Sequence, residues 1–145
     1  MNMTNGEYGK YVKKMAPKSP MAGDVVKAFV IGGLICSIGA SLYKLYEALG
    51  LDEKASSTLT SMTMIFLGAF LTGLGKYDDL ARIGGAGTLV PITGFANAVV
   101  APALEFKSEG IVTGMAAKMF VISGPVIVFG ISASVIYGII YALII

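Results

Sequence analysis

The chain contains no histidine and a single cysteine, and the two scarcities argue against most enzymatic chemistry. Histidine is the side chain most used for acid and base catalysis near neutral pH and for zinc ligation. A lone cysteine, Cys36, forms neither an intrachain disulfide nor a paired-cysteine metal or redox site. We therefore predict a protein without catalytic activity, without a metal centre and without a cofactor.

Charged residues are also scarce. They make up 14% of the 145 residues, against 55% hydrophobic residues, and the mean hydropathy is +0.77. This composition is typical of an integral membrane protein. The first 22 residues are polar, and we expect no cleavable signal sequence. The first apolar tract should therefore remain in the protein as its first span.

Four apolar tracts predict an all-α membrane protein with about four membrane-embedded segments. We place them at about 24–49, 56–75, 88–106 and 111–145, within one transmembrane domain of residues 23–145. The last tract would be about 52 Å long as one helix, which is too long for one perpendicular crossing. Glycine and proline should break two tracts, the third around Pro91 and Pro102 and the fourth near 123–125.

Residues 1–22 form a separate N-terminal segment that contains a short amphipathic helix. Tyr8, Tyr11, Val12 and Met15 recur at helical spacing among basic residues. Such a helix is typical of a segment that lies on anionic lipid headgroups. The alternative is that the lysines only set the orientation of the chain, and both hypotheses place the N-terminus in the cytoplasm. The candidate headgroup-binding residues are Lys10, Lys13, Lys14 and Lys18.

Small residues recur at every fourth position in the first and last spans, a spacing that lets a neighbouring helix approach closely. The candidate packing positions are Gly32, Cys36 and Ala40 in the first span and Gly130, Ser134 and Gly138 in the last. With so few spans in one chain, we expect a transport path to need several subunits and the protein to form an oligomer.

The broken tracts are the candidate solute path, because freed backbone groups in a membrane occur only where protein or an aqueous cavity surrounds them. Helices that begin near Pro91 and Pro125 would point N–H donors at an anionic solute. Asn97 is the strongest candidate, since its amide both donates and accepts; the alternative is that it bonds a freed carbonyl on a neighbouring helix. For the tract 84–106 we favour a full but broken crossing over a re-entrant hairpin.

Lys118 adds a basic side chain to this region. A charged lysine near the middle of the membrane costs free energy unless it forms an ion pair or contacts water. Glu105 or Glu109 is therefore the candidate partner of Lys118. The alternative is that Lys118 extends its side chain to the membrane interface. The complete candidate path is Thr88, Pro91, Thr93, Asn97, Glu105 and Lys118.

The string YDDLARIGGAGTLVPITGFANAVVAPALEFKSEGIVTGMAAKMFVISGPVIVFG, and GAGTLVPITGFANA within it, resembles the stage V sporulation protein A family of spore-forming Firmicutes. The resemblance extends over nearly the whole chain. It implies a role in moving dipicolinic acid, with calcium, across the inner spore membrane, inward during sporulation and outward during germination. It also implies two partners, a related membrane subunit of the AE type and a soluble dipicolinate-binding subunit.

Three classes of function follow from these observations. The leading hypothesis is a channel or transport subunit for a small anionic solute, and the alternative is a non-conducting scaffold that anchors soluble and pore-forming partners. An intramembrane protease is disfavoured, because Asp78 and Asp79 are adjacent and lie beside Lys76 and Arg82, as in a solvated turn. No nucleic-acid partner is expected.

Overall fold

The computed structural model describes residues 4–15 and 20–144, and this part of the chain consists of helices and short connections. Its α-helices are α1 Asn5–Met15, α2 Met21–Ala48, α3 Glu53–Gly73, α4 Tyr77–Gly84, α5 Ala86–Leu89, α6 Ile92–Glu105 and α7 Ala117–Ile144. A 3₁₀ helix, Lys107–Glu109, and a π-helical segment, Ile111–Ala116, join α6 to α7. The predicted all-α membrane architecture is confirmed.

Within the described residues, three helical stretches are long and apolar enough to cross a membrane. They are α2, α3 and the stretch Ile111–Ile144. The predicted bounds of the first two spans, 24–49 and 56–75, agree with α2 and α3 to within three residues at each end. Helix α6 is apolar but has 14 residues, so it reaches only about 21 Å. This length is short of the roughly 30 Å hydrocarbon core.

Helices α2 and α3 both end at a glycine with positive φ, Gly50 at 88° and Gly75 at 69°. At the end of α3, the Gly75 N–H donates to the Thr72 carbonyl and the Lys76 N–H donates to the Leu71 carbonyl. This pair of bonds is the Schellman motif, which satisfies carbonyls that the helix itself leaves unpaired. The turns that connect the spans are therefore fixed by the sequence at these glycines.

The predicted break near 123–125 is wrong, because α7 runs without interruption through Pro125. Proline has a φ suited to a helix, and it removes only one N–H donor from the ladder. Ser123 remains helical and donates its hydroxyl to the Met119 carbonyl at 2.6 Å. A full break would free several backbone groups in lipid, so the continuous helix is favoured. No helix starts near Pro125, contrary to the prediction. The predicted break at Pro102 is wrong as well, because α6 continues through Pro102 to Glu105.

Helix α6 lies alongside α3 and runs in the same direction. A methyl group added at Gly68 would lie 2.8 Å from the Thr93 carbonyl oxygen, and Thr72 Oγ1 lies 2.8 Å from Asn97 Oδ1. Between these two contacts the chain advances four residues on each helix, so the helix axes point the same way. Helices α2 and α3 are instead antiparallel neighbours joined by the short turn at Gly50.

The direction of α6 returns the chain toward the end of the bundle at which α3 ends. The tract 84–106 therefore has the geometry of a re-entrant hairpin, made of α5, the turn at Val90 and Pro91, and α6, rather than that of the full crossing favoured above. The physical reason is length, since helices of four and 14 residues with a bend between them are too short to cross. The span Ile111–Ile144 then crosses once from that same side.

This topology predicts the accessibility of residue 108. In a Cys36→Ala background, we expect Ser108→Cys in sealed vesicles to react with a membrane-impermeant thiol reagent from the same side as Lys76→Cys. The side chain at 54, at the start of α3, lies at the opposite end of the spans, so Lys54→Cys should react from the opposite side. Labelling of residue 108 together with residue 54 would mean that α5 and α6 cross the membrane fully.

Candidate functional site

The helical backbone is interrupted between α5 and α6, at Val90 and Pro91. Pro91 is extended, with φ −62° and ψ 159°, and it precedes α6 without any side-chain hydrogen bond that caps the helix. Helix α6 therefore begins at Ile92, which agrees with the predicted helix start near Pro91. Gly94 lies so close to the carbonyl oxygens of Thr88 and Leu89 that a Cβ there would overlap them. The chain can fold back this tightly only because residue 94 has no side chain.

Tyr77, from α4, holds the two sides of the break together. Its hydroxyl lies 2.8 Å from the Thr88 carbonyl oxygen and 2.9 Å from Thr93 Oγ1, and the residue is 2% exposed. A phenol has one hydrogen, so Tyr77 donates to the carbonyl and accepts from the Thr93 hydroxyl when both contacts are satisfied. Burial raises the pKa of Tyr77, while the bond with Thr93 lowers it by a smaller amount. The hydroxyl therefore stays protonated at neutral pH and remains a donor.

Asn97 is one turn further along α6, and its side chain contacts α3. Thr72 Oγ1 lies 2.8 Å from Asn97 Oδ1 and 2.7 Å from the carbonyl oxygen of Gly68. One hydroxyl hydrogen cannot serve both acceptors. Both contacts are satisfied if the amide is turned so that its NH₂ donates to Thr72 while Thr72 donates to Gly68. The bond joins α6 to a neighbouring helix through a side chain rather than through a freed carbonyl.

The hairpin packs against α2 through glycine. Gly32 of α2 faces Gly87 of α5, and a Cβ at Gly32 would lie 3.2 Å from the Gly87 Cα. A Cβ at Gly87 would overlap the carbonyl oxygen of Ala28. The two backbones are therefore in direct contact. In GAGTLVPITGFANA, close packing explains Gly87 and Gly94, whereas Gly85 has open space around it and a positive φ of 48°.

An apolar cavity of about 310 Å³ lies beside the break, among side chains of α2, α3, α4 and α6. Tyr77 and Thr93 line it, and so does Ile35, which is at the middle of α2. Since α2 is a candidate span, this shared lining places the start of α6 well inside the apolar body. The break therefore lies at the level of the middle of the candidate span α2.

The two charged residues of the predicted path, Glu105 and Lys118, do not lie near the break. Lys118 Nζ lies 4.4 Å from the centroid of the Phe106 ring, a cation–π contact. Neither Glu105 nor Glu109 forms an ion pair with Lys118 in the part of the chain that the structure describes, and both are exposed. Thus Thr88, Thr93 and Asn97 lie at or beside the break, whereas Glu105 and Lys118 lie at the far end of α6.

The small-residue positions differ in their surroundings. Gly32 is in contact with α5, whereas Cys36 and Ala40 are exposed on α2. In α7, the side that carries Gly130, Ser134 and Gly138 is exposed, as is every described residue from 125 to 144. In the N-terminal helix, Lys10, Lys13 and Lys14 are exposed, and Lys18 lies outside the described residues. These packing and headgroup-binding roles remain predictions.

Tyr77 and Thr72 were not among the site residues predicted from the sequence. The charged neighbours Lys76, Asp78 and Asp79 made the stretch after α3 resemble a solvated turn, yet α4 is a helix with both aspartates exposed. The available signal was the spacing of Tyr77, Leu80, Ala81 and Gly84, which lie on one face of a helix and are the buried or half-buried members of α4. No comparable pattern singles out Thr72 among the many hydroxyl residues of α3.

Together, the three long apolar helices, the shorter apolar helix α6 and the hairpin define an all-α membrane protein with several membrane-embedded segments. Residues 24–140 match the family model described as SpoVAC/SpoVAEB sporulation membrane protein, and the chain belongs to this family. It is similar to stage V sporulation protein AC of Bacillus subtilis (strain 168), with 47% identity over 141 residues, 95% of this chain and 94% of that protein. The resemblance to an AC-type member of the stage V sporulation protein A family is confirmed, and no solved structure matches the chain.

The Tyr77 contacts predict a specific loss of stability. We expect Tyr77→Phe to lower the free energy of unfolding by about 1–3 kcal/mol, because the buried Thr88 carbonyl loses its donor while side-chain volume barely changes. Thermal or denaturant unfolding in detergent measures the effect. Tyr137→Phe is the matched control, since Tyr137 is exposed on α7, and it should have little effect. Equal stabilities of the two variants would show that Tyr77 does not hold the break.

The contact between α2 and α5 predicts a second difference. Gly87→Ala should destabilise the protein by about 1–3 kcal/mol, because its methyl group would force the two backbones apart. Gly33→Ala, on α2, has open space around its added methyl group and should be neutral or slightly stabilising, since alanine favours a helix over glycine. The comparison is made on detergent-solubilised protein by thermal unfolding and size-exclusion profile. A Gly87→Ala variant as stable as Gly33→Ala would contradict the close contact.

Proposed function

We propose that this chain is a subunit of a membrane channel or transporter that moves dipicolinic acid, with calcium, across the inner membrane of the spore. Transport is directed into the forespore during sporulation and out of the spore at germination. The single observation that carries the proposal is the break at Val90 and Pro91 in a sporulation membrane protein, where the flanking Thr88 and Thr93 are buried and Val90 is exposed. Irregular backbone at membrane depth is tolerated where protein or a water-filled cavity surrounds it.

The chemistry of the break suits an anionic solute. Helix α6 begins with no side-chain cap, and the positive end of its dipole is directed toward the break. Of its first N–H groups, that of Gly94 already donates to the Pro91 carbonyl oxygen at 2.8 Å. The positive end of the dipole attracts a carboxylate even though no residue there carries a fixed positive charge. This arrangement favours passage over tight retention, because conduction requires binding weak enough for release. Asn97 follows within the same helix and can donate to a carboxylate or accept from a hydrated cation.

The exposure of α7 supports an assembly of several subunits. In the described residues, α7 is exposed along its whole length from residue 125 to residue 144, so it is available to lipid or to further subunits. The proposed assembly contains a related membrane subunit of the AE type and a soluble dipicolinate-binding subunit. The chain is oriented with its N-terminus in the cytoplasm, where its lysine-rich N-terminal segment is retained.

A second candidate function is a non-conducting scaffold that anchors pore-forming and soluble partners. The observation that favours it is that the polar groups at the break already bond one another. Tyr77 joins Thr88 and Thr93, and Thr72 joins Asn97. Groups satisfied in this way stabilise a fixed structure and need no solute. Flux measurements distinguish the two functions.

The test is reconstitution of the purified chain in liposomes, alone and with the AE-type subunit, followed by release of dipicolinate detected with external terbium. We expect dipicolinate flux from one of these preparations. In that preparation, Asn97→Leu should assemble normally and lose flux by at least about tenfold, because a hydrogen bond to a charged group contributes ~1.5–3 kcal/mol. Flux that depends only on the partner and is unchanged by Asn97→Leu would favour the scaffold.

Thr72→Val is the matched control for this experiment. It removes the Thr72 side of the bond at nearly constant volume and leaves the Asn97 amide in place. If Asn97 contacts the solute, Thr72→Val should retain most of the flux that Asn97→Leu loses. If Asn97 serves only packing, the two variants should lose stability equally and lose flux only in proportion to the assembled protein. Normal assembly with undiminished flux in Asn97→Leu would contradict both roles.

A further inference from the structure

Helix α1 separates its apolar and basic side chains onto opposite faces. At about 100° per residue, its four large apolar residues fall within an arc of about 100°, and its three lysines fall within a similar arc on the other side. The apolar face consists of Tyr8, Tyr11, Val12 and Met15, and the basic face of Lys10, Lys13 and Lys14. An arrangement of this kind matches a helix that lies in the plane of a membrane surface.

The apolar face of α1 is not covered by the rest of the described chain. Exposed fractions are 61% for Tyr8, 46% for Tyr11, 44% for Val12 and 67% for Met15. An isolated helix of 11 residues is only marginally stable in water. Helix α1 therefore needs a surface that covers its apolar face.

The N-terminus of α1 is capped locally. The Glu7 carboxylate lies 3.0 Å from the backbone nitrogen of Thr4, and the Glu7 N–H donates to Thr4 Oγ1 at 3.4 Å. This reciprocal pair is a capping box. Hydrogen bonds from Thr4 lower the pKa of Glu7, so the carboxylate that makes the box is ionised at neutral pH. The cap fixes where α1 begins, and Tyr8 then starts the apolar face.

The membrane itself is within reach of α1 at all times. Helix α1 ends at Met15 and the spanning helix α2 begins at Met21. Six residue steps extend to at most about 22 Å, so α1 cannot move far from the end of α2. The charge of α1 complements an anionic surface, since the helix contains three lysines and a single acidic residue, Glu7.

From these observations we infer that α1 binds the anionic lipid surface of the membrane from which α2 emerges. The apolar face enters the headgroup boundary, and the lysines remain in the aqueous layer above it, where anionic lipids attract them. The binding partner is the bilayer surface, and the helix is held there by its short connection to α2. This inference does not depend on whether the chain conducts dipicolinate.

The test uses the full-length chain in liposomes and a single tryptophan as the probe, since the chain has no tryptophan of its own. Tyr8→Trp places the probe on the apolar face, and Gly6→Trp places it on the opposite side, where nothing lies within 4 Å. Vesicles contain either phosphatidylcholine alone or phosphatidylcholine with about a third phosphatidylglycerol, a fraction of anionic lipid sufficient for electrostatic attraction. Brominated lipids in the same mixtures report contact with the bilayer.

In anionic vesicles, Tyr8→Trp should emit at shorter wavelength than in neutral vesicles and be quenched by brominated lipid. Gly6→Trp should stay water-exposed and be quenched less. Adding Lys13→Gln and Lys14→Gln to Tyr8→Trp should lower the ratio of bound to free helix about 30-fold, at roughly 1 kcal/mol for each basic residue near the surface.

Three results would overturn the inference. The first is water-exposed emission from Tyr8→Trp in both kinds of vesicle, which means that α1 does not bind the bilayer. The second is equal quenching in neutral and anionic vesicles, which means that charge plays no part. The third is a blue shift without quenching by brominated lipid, which means that α1 packs against protein, such as a second copy of the chain.

Discussion

The carbonyl oxygen of Thr88 must find a donor inside an apolar body, and the surrounding structure depends on how this need is met. The donor is the hydroxyl of Tyr77, which belongs to a different helix. For that bond to form, α4 must bring Tyr77 back toward the spans, and α5 must place Thr88 beside it. Among the described residues, no buried side-chain polar atom lacks a hydrogen-bond partner, as expected where an unpaired group would cost several kcal/mol.

Close backbone contact is the second requirement, and it follows from the first. A short helix such as α5 can present Thr88 to Tyr77 only if it lies directly on α2, and glycine at 87 and 32 permits this. Helix α6 then approaches α3 at Gly68 in the same way. The hydroxyl of Thr72 and the amide of Asn97 fix the next turn. Polar bonds and glycine contacts thus determine together where the hairpin sits.

Much of the fold could be predicted from local sequence, because local chemistry decides it. Apolar runs determine the spans, Gly50 and Gly75 end two helices, and Pro91 determines where α6 begins. The direction of α6 could not be predicted, since it depends on contacts between residues far apart in the sequence. The predicted break at Pro125 failed because one lost hydrogen bond in lipid costs less than several.

The candidate site was predicted only in part, for similar reasons. Thr88, Thr93 and Asn97 were identified because polar residues are rare in the apolar tract. Their partners Tyr77 and Thr72 were missed, since each lies in a segment whose other residues obscure it. Glu105 and Lys118 were grouped with the site by charge and by their expected positions in the membrane, and Lys118 contacts the Phe106 ring instead. Composition identifies unusual residues, but the contacts that give them roles are tertiary.

The re-entrant hairpin also imposes an order on biogenesis. Helices α2 and α3 and the stretch that contains α7 are each long and apolar enough to enter the bilayer as they leave the ribosome. The hairpin cannot insert independently, because its turn would carry unpaired backbone groups into lipid before any protein surface is present to bind them. It must therefore remain at the interface until the α2–α3 pair has formed and then fold onto that pair as a later step.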